Sequence, residues 1–317
     1  METVLITGGT GFLATRVIAA AQEAGYDVRT TVRHTPVDGV PSFVADLTSD
    51  EGWDEAVAGC DYVLHVASPL PAAQPDHEDE VIIPARDGTL RVLRAARDAG
   101  VRRTVVTSSF AAIGYGHPET GRPFTEDVWT RPDADIAAYP KSKVIAERAA
   151  WDFDRGAMEL AVVNPTGIFG PVTGPRYASS IRILAGLLDG SMPAIPNMWF
   201  GMVDVRDAAD LHLRAMTSPK AAGERFLGSS GDAVSMAYIA QVLRERLGAT
   251  TPTELLPDDV VRKLAETDDR MAELAKNVGR IRHLSNTKAR SVLGWNPRPV
   301  EDVIADTGRS LIEGGYV

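Results

Sequence analysis

The sequence predicts an α/β fold built on a doubly wound parallel sheet, and two observations support this fold class. Short apolar runs alternate with helical patterns through the first half of the chain, as expected for repeated βαβ units. A glycine-rich segment directly follows the first of these runs and opens the first helical pattern. Parallel strands need helical crossovers of this kind because a tight turn cannot join them.

Six short apolar runs mark the predicted strands. They lie at residues 4–7, 28–32, 42–45, 62–66, 104–107 and 160–163. Between the first two runs, residues 12–24 carry apolar side chains at helical spacing, and Gly25 stands where a helix would end. A later run at 224–227, followed by a helical pattern at 236–247, predicts one further βα unit that returns to the sheet.

The character of the chain changes near residue 164, because glycine and proline become frequent from there to residue 196. We therefore predict a dinucleotide-binding domain at 1–163 and a smaller, mainly substrate-binding domain at 164–317. Because the βα unit at 224–247 is predicted to return to the sheet, the two domains would be interleaved. A length of 317 residues suits one large α/β unit with such an appendage. The charged stretch at 252–276 predicts a solvated surface helix.

Composition excludes several classes of function. With 44% apolar and 24% charged residues, the chain can bury a core and is not disordered. A net charge of −10 disfavours nucleic acid and anionic membranes as partners. Cys60 is the single cysteine, so no internal disulfide or cysteine-rich metal site is expected. Without an export signal or a long apolar span, we expect a cytoplasmic enzyme, monomeric or homodimeric.

Residues 7–14 form a glycine-rich loop at the start of the first helix. Gly8 suits a tight turn, Gly11 allows a pyrophosphate to approach the backbone, and Ala14 permits close packing of helix and strand. Phosphates would lie at the helix N-terminus. The alternative is a glycine-rich turn without a ligand. The position after the first strand favours a Rossmann-type dinucleotide site.

The second strand ends in Arg33, where an NAD site of this fold usually has an acidic residue. A guanidinium suits a 2′-phosphate because its planar fork makes charge-assisted bonds to phosphate oxygens. We therefore expect NADP as the cofactor, the alternative being a solvent-exposed arginine. Asp46, after the third strand, lies near the predicted adenine position or caps the helix that follows.

A phenol and an ammonium stand four residues apart in a segment that is predicted to be helical. Tyr139 and Lys143 would share one face of that helix. A neighbouring cation favours the phenolate and makes the phenolic proton easier to move. Ser108 and Ser109 end the fifth strand, at the sheet edge where the cofactor is expected. The three residue types together indicate acid-base chemistry beside a dinucleotide.

The remaining strand ends and loops supply the candidate pocket. The fourth strand ends in small residues that would let a cofactor pass, and we interpret His65 there as a packed strand residue. For the substrate we expect residues 68–74, the segment after Ser109, and residues 166–200. Apolar surface in the last stretch would come from Tyr177, Met198, Trp199 and Phe200.

Taken together, these motifs resemble the extended short-chain dehydrogenase/reductase superfamily, and within it the dihydroflavonol reductase-like branch that includes cinnamoyl-CoA reductases and fungal aldehyde and methylglyoxal reductases. The resemblance covers nearly the full length. It rests on residues 7–14, 31–33, 46–47, 65–69, 105–109, 139–143 and 164–171, with later agreement at 203–209 and 293–295. Ala14 stands where many members have glycine, a mild departure. The asparagine that supports the lysine in broader relatives has no assigned position here.

The resemblance implies an NADPH-dependent carbonyl reductase that acts on an aldehyde or ketone. Tyr139 would be the proton donor, Ser109 rather than Ser108 would orient the carbonyl, and Lys143 would bind the nicotinamide ribose and keep the phenol acidic. No metal is expected. The implied cofactor contacts are Thr7, Gly8, Thr10, Gly11, Phe12, Leu13, Arg33, Asp46, Leu47, Val66, Ala67, Ser68, Thr107, Tyr139, Lys143, Pro165, Thr166 and Ile168.

Two other functions remain open at this point. An NAD-dependent nucleotide-sugar epimerase or dehydratase has the same fold. Arg33 and the lack of an obvious basic cluster for a nucleotide diphosphate argue against it. A non-catalytic NADP-sensing protein is also compatible with the fold, because fold does not fix function. Retention of Ser109, Tyr139 and Lys143 together argues against that possibility.

Overall fold

The computed structural model describes residues 1–69, 75–119, 121–174, 177–267, 271 and 274–317. The strands are β1 (Thr3–Ile6), β2 (Asp27–Val32), β3 (Ser42–Val44), β4 (Tyr62–His65), β5 (Arg103–Thr107), β6 (Glu159–Pro165), β7 (Gly167–Phe169), β8 (Ile195–Pro196), β9 (Trp199–Phe200), β10 (Met202–Asp204), β11 (Arg225–Gly228), β12 (Val234–Ser235) and β13 (Leu255–Leu256).

The α-helices are α1 (Phe12–Glu23), α2 (Trp53–Val57), α3 (Asp79–Asp98), α4 (Ala138–Asp152), α5 (Ile181–Leu188), α6 (Val205–Thr217), α7 (Met236–Leu247), α8 (Asp258–Leu264), α9 (Thr287–Leu293) and α10 (Val300–Glu313), and short 3₁₀ turns lie at Phe110–Ala112 and Pro219–Ala221.

Within the described ranges, seven parallel strands form the central sheet, in the order β3, β2, β1, β4, β5, β6, β11. The strand order reverses between β1 and β4, which is the point where α/β sheets open a crevice for ligands. The six strands predicted from apolar runs are all present. The predicted strand at 224–227 also joins this sheet, as β11 beside β6.

Helices cover both faces of the sheet, which confirms the doubly wound class. The helices α1, α6 and α9 pack on one face, and α2, α3 and α4 pack on the other. Successive residues of β1 alternate between the two cores: Val4 and Ile6 face the first, Leu5 faces the second, and all three are fully buried. A strand that is buried on both faces explains the continuous apolar runs in the sequence.

The C-terminal half adds a smaller apolar cluster with short strand pairs. The helices α5, α7 and α10 pack together there, beside the pairs β7 with β10, β8 with β13, and β9 with β12. The helix of the predicted returning unit, α7, therefore lies in this cluster although its strand lies in the main sheet. The division of the chain into domains at residue 164 stays a prediction.

The predicted surface helix at 252–276 does not begin at residue 252 in the structure. A two-residue strand, β13, pairs with β8, and α8 spans Asp258–Leu264. Residues 268–270 and 272–273 of that prediction lie outside the described residues. Across the helices in the described ranges, none combines the length and the apolar character that a membrane crossing requires.

Candidate active site

The glycine-rich loop is shaped by two glycines. Gly8 has a φ of +73°, a conformation that side chains other than glycine rarely adopt. At Gly9 a Cβ atom would lie 2.2 Å from Thr30 Oγ1 on β2, so any side chain there would displace the neighbouring strand. The Gly9 amide also donates to the Thr31 carbonyl at 2.9 Å. Sequence analysis assigned no function to Gly9, since its constraint comes from a neighbouring strand.

The loop places the N-terminus of α1 at a cavity in the crevice. Gly11 caps the helix without a side-chain hydrogen bond, and the first turn contains no acidic residue. Residues 11–14 all line the cavity. The first amides of a helix have no partner within it and carry the positive end of its dipole. This end of α1 is therefore suited to an anion such as a pyrophosphate.

Two neighbouring cavities form one groove along the carboxyl edge of the sheet. The first, about 630 Å³, extends from the glycine loop to the ends of β2 and β3, and the second, about 380 Å³, lies between β5, α4 and the C-terminal half. They share Leu13, Val66 and Ser68. Every predicted cofactor residue other than Thr7 lines one of the two.

Thr7 has a supporting position instead. It is fully buried beneath the loop, 2.9 Å from His65 Nδ1, and its hydroxyl accepts the Ala67 amide at 3.0 Å. Thr7 thus shapes the cavity wall and does not line it. Burial, together with the charge of Lys143, lowers the pKa of His65 to about 3, so this imidazole stays neutral at physiological pH. His65 is packed, as the sequence indicated.

The predicted adenosine end of the groove holds Arg33 and Asp46. Arg33 is exposed and lines the cavity where β2 ends. Asp46 Oδ1 accepts hydrogen bonds from the amide and hydroxyl of Thr48, at 2.8 and 2.6 Å. These bonds lower the pKa of Asp46. The carboxylate therefore stabilises the turn after β3 while also bordering the cavity, and it does not cap α2, whose N-cap is Gly52.

The second cavity brings together Ser109, Tyr139 and Lys143. The helix α4 begins at Ala138, so Pro140 falls in its first turn, where a missing amide costs no helical hydrogen bond. One turn later the Lys143 ammonium lies 5.7 Å from the centre of the Tyr139 ring. The shared helix face predicted from the spacing is present.

Desolvation favours the neutral forms of both Tyr139 and Lys143. It raises the pKa of Tyr139, while the Ser109 hydroxyl, as a hydrogen-bond partner of the phenol, opposes that shift. It lowers the pKa of Lys143 to about 8, partly countered by the negative charge of Glu147. The Lys143 ammonium donates to Ser68 Oγ at 2.9 Å. At neutral pH the site thus holds a protonated phenol beside a cation.

The two serines that end β5 have different surroundings. Ser108 is buried, and its hydroxyl donates to Glu147 Oε2 at 2.5 Å. The Ser109 hydroxyl accepts the Ala111 amide at 3.1 Å and lies beside the Tyr139 phenol. Its hydroxyl thus lies at the cavity beside the phenol, whereas that of Ser108 is held by Glu147. The geometry favours Ser109 over Ser108 for contact with a substrate.

A buried polar network behind these residues was missed by sequence analysis. Glu147, one turn after Lys143 on α4, accepts from Ser108 and from Asn164 Nδ2 at 2.7 Å. Its Oε1 lies 2.7 Å from Nε of Arg225 on β11. The Arg225 guanidinium stacks on the Trp129 indole, 3.7 Å from the ring centre. No motif marked this network, because its members are far apart in sequence.

The substrate side of the second cavity is formed by the segments after β5 and β6. Trp199 and Phe200 line it, as predicted, together with Phe110 and Tyr115. The other two aromatic or apolar candidates, Tyr177 and Met198, pack in the C-terminal apolar cluster instead. Arg282, which sequence analysis did not consider, also lines the cavity. Residues 70–74 of the predicted pocket lie outside the described residues.

Within the described ranges, no group of three or more histidine, cysteine or acidic side chains is arranged to hold a metal ion.

Comparison with known proteins places this site in a family. The chain matches the model of the NAD-dependent epimerase/dehydratase family over residues 4–227. The chain belongs to this family. Cinnamoyl-CoA reductase CAD2 of Medicago truncatula is 31% identical over 334 residues, covering 98% of this chain and 96% of that protein. Ketoreductase azaE of Aspergillus niger is 32% identical over 354 residues, 98% of each protein.

A solved structure agrees with the fold of this family. Yeast methylglyoxal/isovaleraldehyde reductase Gre2, complexed with NADPH, aligns over 100% of both chains with a TM-score of 0.81 and 24% identity. These matches confirm the resemblance to the extended short-chain dehydrogenase/reductase superfamily and its reductase branch.

Alanine substitution should separate the two serines. Ser109→Ala removes a hydroxyl at the cavity and should lower kcat for NAD(P)-dependent reduction by at least about tenfold, with little change in melting temperature. Ser108→Ala leaves the Glu147 carboxylate short of one buried donor, so its main effect should be a lower melting temperature. Steady-state kinetics and thermal melts of both variants test this. A larger kcat loss in Ser108→Ala, at an unchanged melting temperature, would reverse the assignment.

Proposed function

We propose that the protein is an NADPH-dependent carbonyl reductase that converts an aldehyde or ketone to an alcohol, and the reverse. The observation that carries the proposal is the juxtaposition of Ser109, Tyr139 and Lys143 in a cavity continuous with the groove at the N-terminus of α1. Full-length relatives with reductase names support an NAD(P)-dependent reductase of the extended superfamily.

The residues of the groove fit the proposed cofactor. Gly11 and the first turn of α1 would hold its pyrophosphate, and Arg33 would hold its 2′-phosphate. Lys143 would bind the hydroxyls of the nicotinamide ribose. When bound, NADPH supplies a hydride to the carbonyl carbon.

Three protein side chains would act on the carbonyl oxygen of the substrate. Ser109 donates a hydrogen bond to the carbonyl oxygen and fixes its position. As negative charge develops on that oxygen, Tyr139 transfers its phenolic proton to it. The cationic Lys143 stabilises the phenolate that remains. A proton from solvent then restores the phenol, so the reaction consumes one carbonyl, one hydride and one proton per alcohol formed.

The nucleotide-sugar epimerase or dehydratase alternative has one observation in its favour. Lys276, Arg280 and Arg282 together border a cavity next to Tyr139. They form a basic cluster that sequence analysis did not find. Arg33 still favours NADP, whereas nucleotide-sugar enzymes of this fold usually use NAD. Stoichiometric NAD retained through purification would support the alternative, and NADPH-dependent turnover of simple carbonyls would exclude it.

Replacing the phenol tests the proposed proton donor. Tyr139→Phe keeps the ring and loses the proton, so kcat for NADPH-dependent reduction should fall by ~10²–10⁴ while NADPH affinity is retained. The measurement is NADPH consumption over a panel of aldehydes, ketones and diketones, with fluorescence titration of NADPH. Tyr177→Phe, in the C-terminal cluster, is the matched control and should keep wild-type kcat. An unimpaired kcat in Tyr139→Phe would remove this residue from the mechanism.

Cofactor preference tests Arg33. A hydrogen bond to a charged group contributes ~1.5–3 kcal/mol, so Arg33→Ala should raise the Kd of NADPH roughly 10- to 100-fold and leave that of NADH nearly unchanged. Because Arg33 is exposed, added salt should reduce the preference of the wild-type protein for NADPH over NADH. Titration of both cofactors against both proteins is the measurement. An unaltered NADPH/NADH affinity ratio in the variant means that Arg33 does not contact the phosphate.

A further inference from the structure

We propose that the carbonyl substrate carries an anionic group, a carboxylate or a phosphate, and that Arg282 binds this group at the substrate end of the catalytic cavity. The inference rests on the proposed reductase function and narrows its substrate class.

Arg282 belongs to the wall of the catalytic cavity. It lines that cavity together with Ser109, Tyr139 and Lys143. It also lines a neighbouring cavity of about 450 Å³ that borders Tyr139 from the other side. A substrate whose carbonyl contacts Tyr139 would therefore extend toward this guanidinium.

Neutral groups hold the Arg282 side chain in place. Its Nε donates to the Gly114 carbonyl at 3.1 Å, and its Nη2 donates to Asn277 Oδ1 at 2.9 Å. Its plane lies over the Tyr115 ring, 4.2 Å from the centre. The side chain is thus oriented before any ligand arrives, which reduces the entropy lost on binding.

The Arg282 guanidinium has no directly paired carboxylate in the described ranges, although the Glu119 carboxylate lies within electrostatic range. Within the ranges that the structure describes, no carboxylate forms an ion pair with Arg282 or with the adjacent Arg280, whereas Lys276 pairs with Asp135 at 3.0 Å. Arg282 is half-buried, and burial lowers its pKa; Tyr115 and the Glu119 carboxylate oppose this shift, whereas Arg280 adds to it. A partly desolvated cation without a direct ion pair is unfavourable, so a bound anion would stabilise it.

The field around this cavity also favours anions. The whole protein carries a net charge of −10, yet Lys276, Arg280 and Arg282 border one cavity. Of the acidic side chains beside it, Asp135 pairs with Lys276, and Glu119 accepts the Ile281 amide and offsets part of the positive charge. A local cluster of cations beside low-dielectric walls concentrates anionic ligands at the opening.

The proposed cofactor cannot be the anion that Arg282 binds. Its phosphates would lie at the glycine loop and Arg33, which line the other cavity of the groove, and Arg282 does not line that cavity. An anion at Arg282 therefore belongs to the substrate.

Matched substrates test the proposal. Formylbenzoate is compared with its neutral methyl ester, and glyceraldehyde phosphate with glyceraldehyde. Wild-type kcat/KM should be about 10- to 100-fold higher for the anionic member of at least one pair, and the pair that responds identifies carboxylate or phosphate. Arg282→Gln should remove that preference by raising KM for the anionic member far more than for the neutral member. Arg282→Lys should retain part of it, and Arg290→Gln, an exposed arginine on α9, should retain all of it.

Several outcomes would overturn the inference. The first is an equal kcat/KM of wild type for the charged and neutral members of both pairs. The second is an equal loss of kcat/KM for both members in Arg282→Gln, which is expected if Arg282 only supports Tyr115. Calorimetric titration of the two anionic aldehydes into the NADP-loaded protein decides the matter without turnover. Absence of binding to wild type would contradict the inference. Binding without any turnover would contradict the reductase function alone.

Discussion

The buried ion pair between Glu147 and Arg225 is the constraint on which the site depends. Glu147 is 1% exposed and Arg225 is 7% exposed, so the pair joins α4 to β11 in a nearly dry interior. The same carboxylate accepts from Ser108 at the end of β5 and from Asn164 on β6. One side chain thus fixes the helix that carries Tyr139 relative to three strands. Removing one partner of such a pair costs ~3–5 kcal/mol, because the other charge remains buried.

This arrangement also sets the electrostatics of the cavity. Desolvation alone would push Lys143 further toward its neutral form, and the charge of Glu147 one turn away opposes that shift. The ammonium can then remain protonated near neutral pH although Lys143 itself is buried. Tyr139 stays protonated because burial raises its pKa. Both groups therefore hold the protonation states that the proposed reduction requires.

Features that depend on local sequence were predictable. Apolar runs identified the strands, and the spacing from Tyr139 to Lys143 placed both on one helix face. Features that depend on topology were not. Glu147 and Arg225 are 78 positions apart and meet only because β11 returns to the sheet beside β6. The support that Thr7 gives to the cavity wall through His65 and Ala67 also depends on topology, because its partners lie on β4 and just after it. Arg282 was overlooked because nothing near it in sequence shows that it faces the catalytic cavity.

The pH dependence of kcat/KM for NADPH tests the central claim, that Glu147 governs the charge on Lys143. The pH dependence of kcat/KM reports the ionisation of groups in the free enzyme. The Lys143 ammonium loses its proton as the pH rises through its pKa, so kcat/KM should fall around a midpoint of about 8 in wild type. Glu147→Gln removes the carboxylate that raises the pKa of Lys143, and the midpoint should move to lower pH. Glu147→Asp keeps the charge and should stay near wild type. The same midpoint in all three proteins would contradict the account.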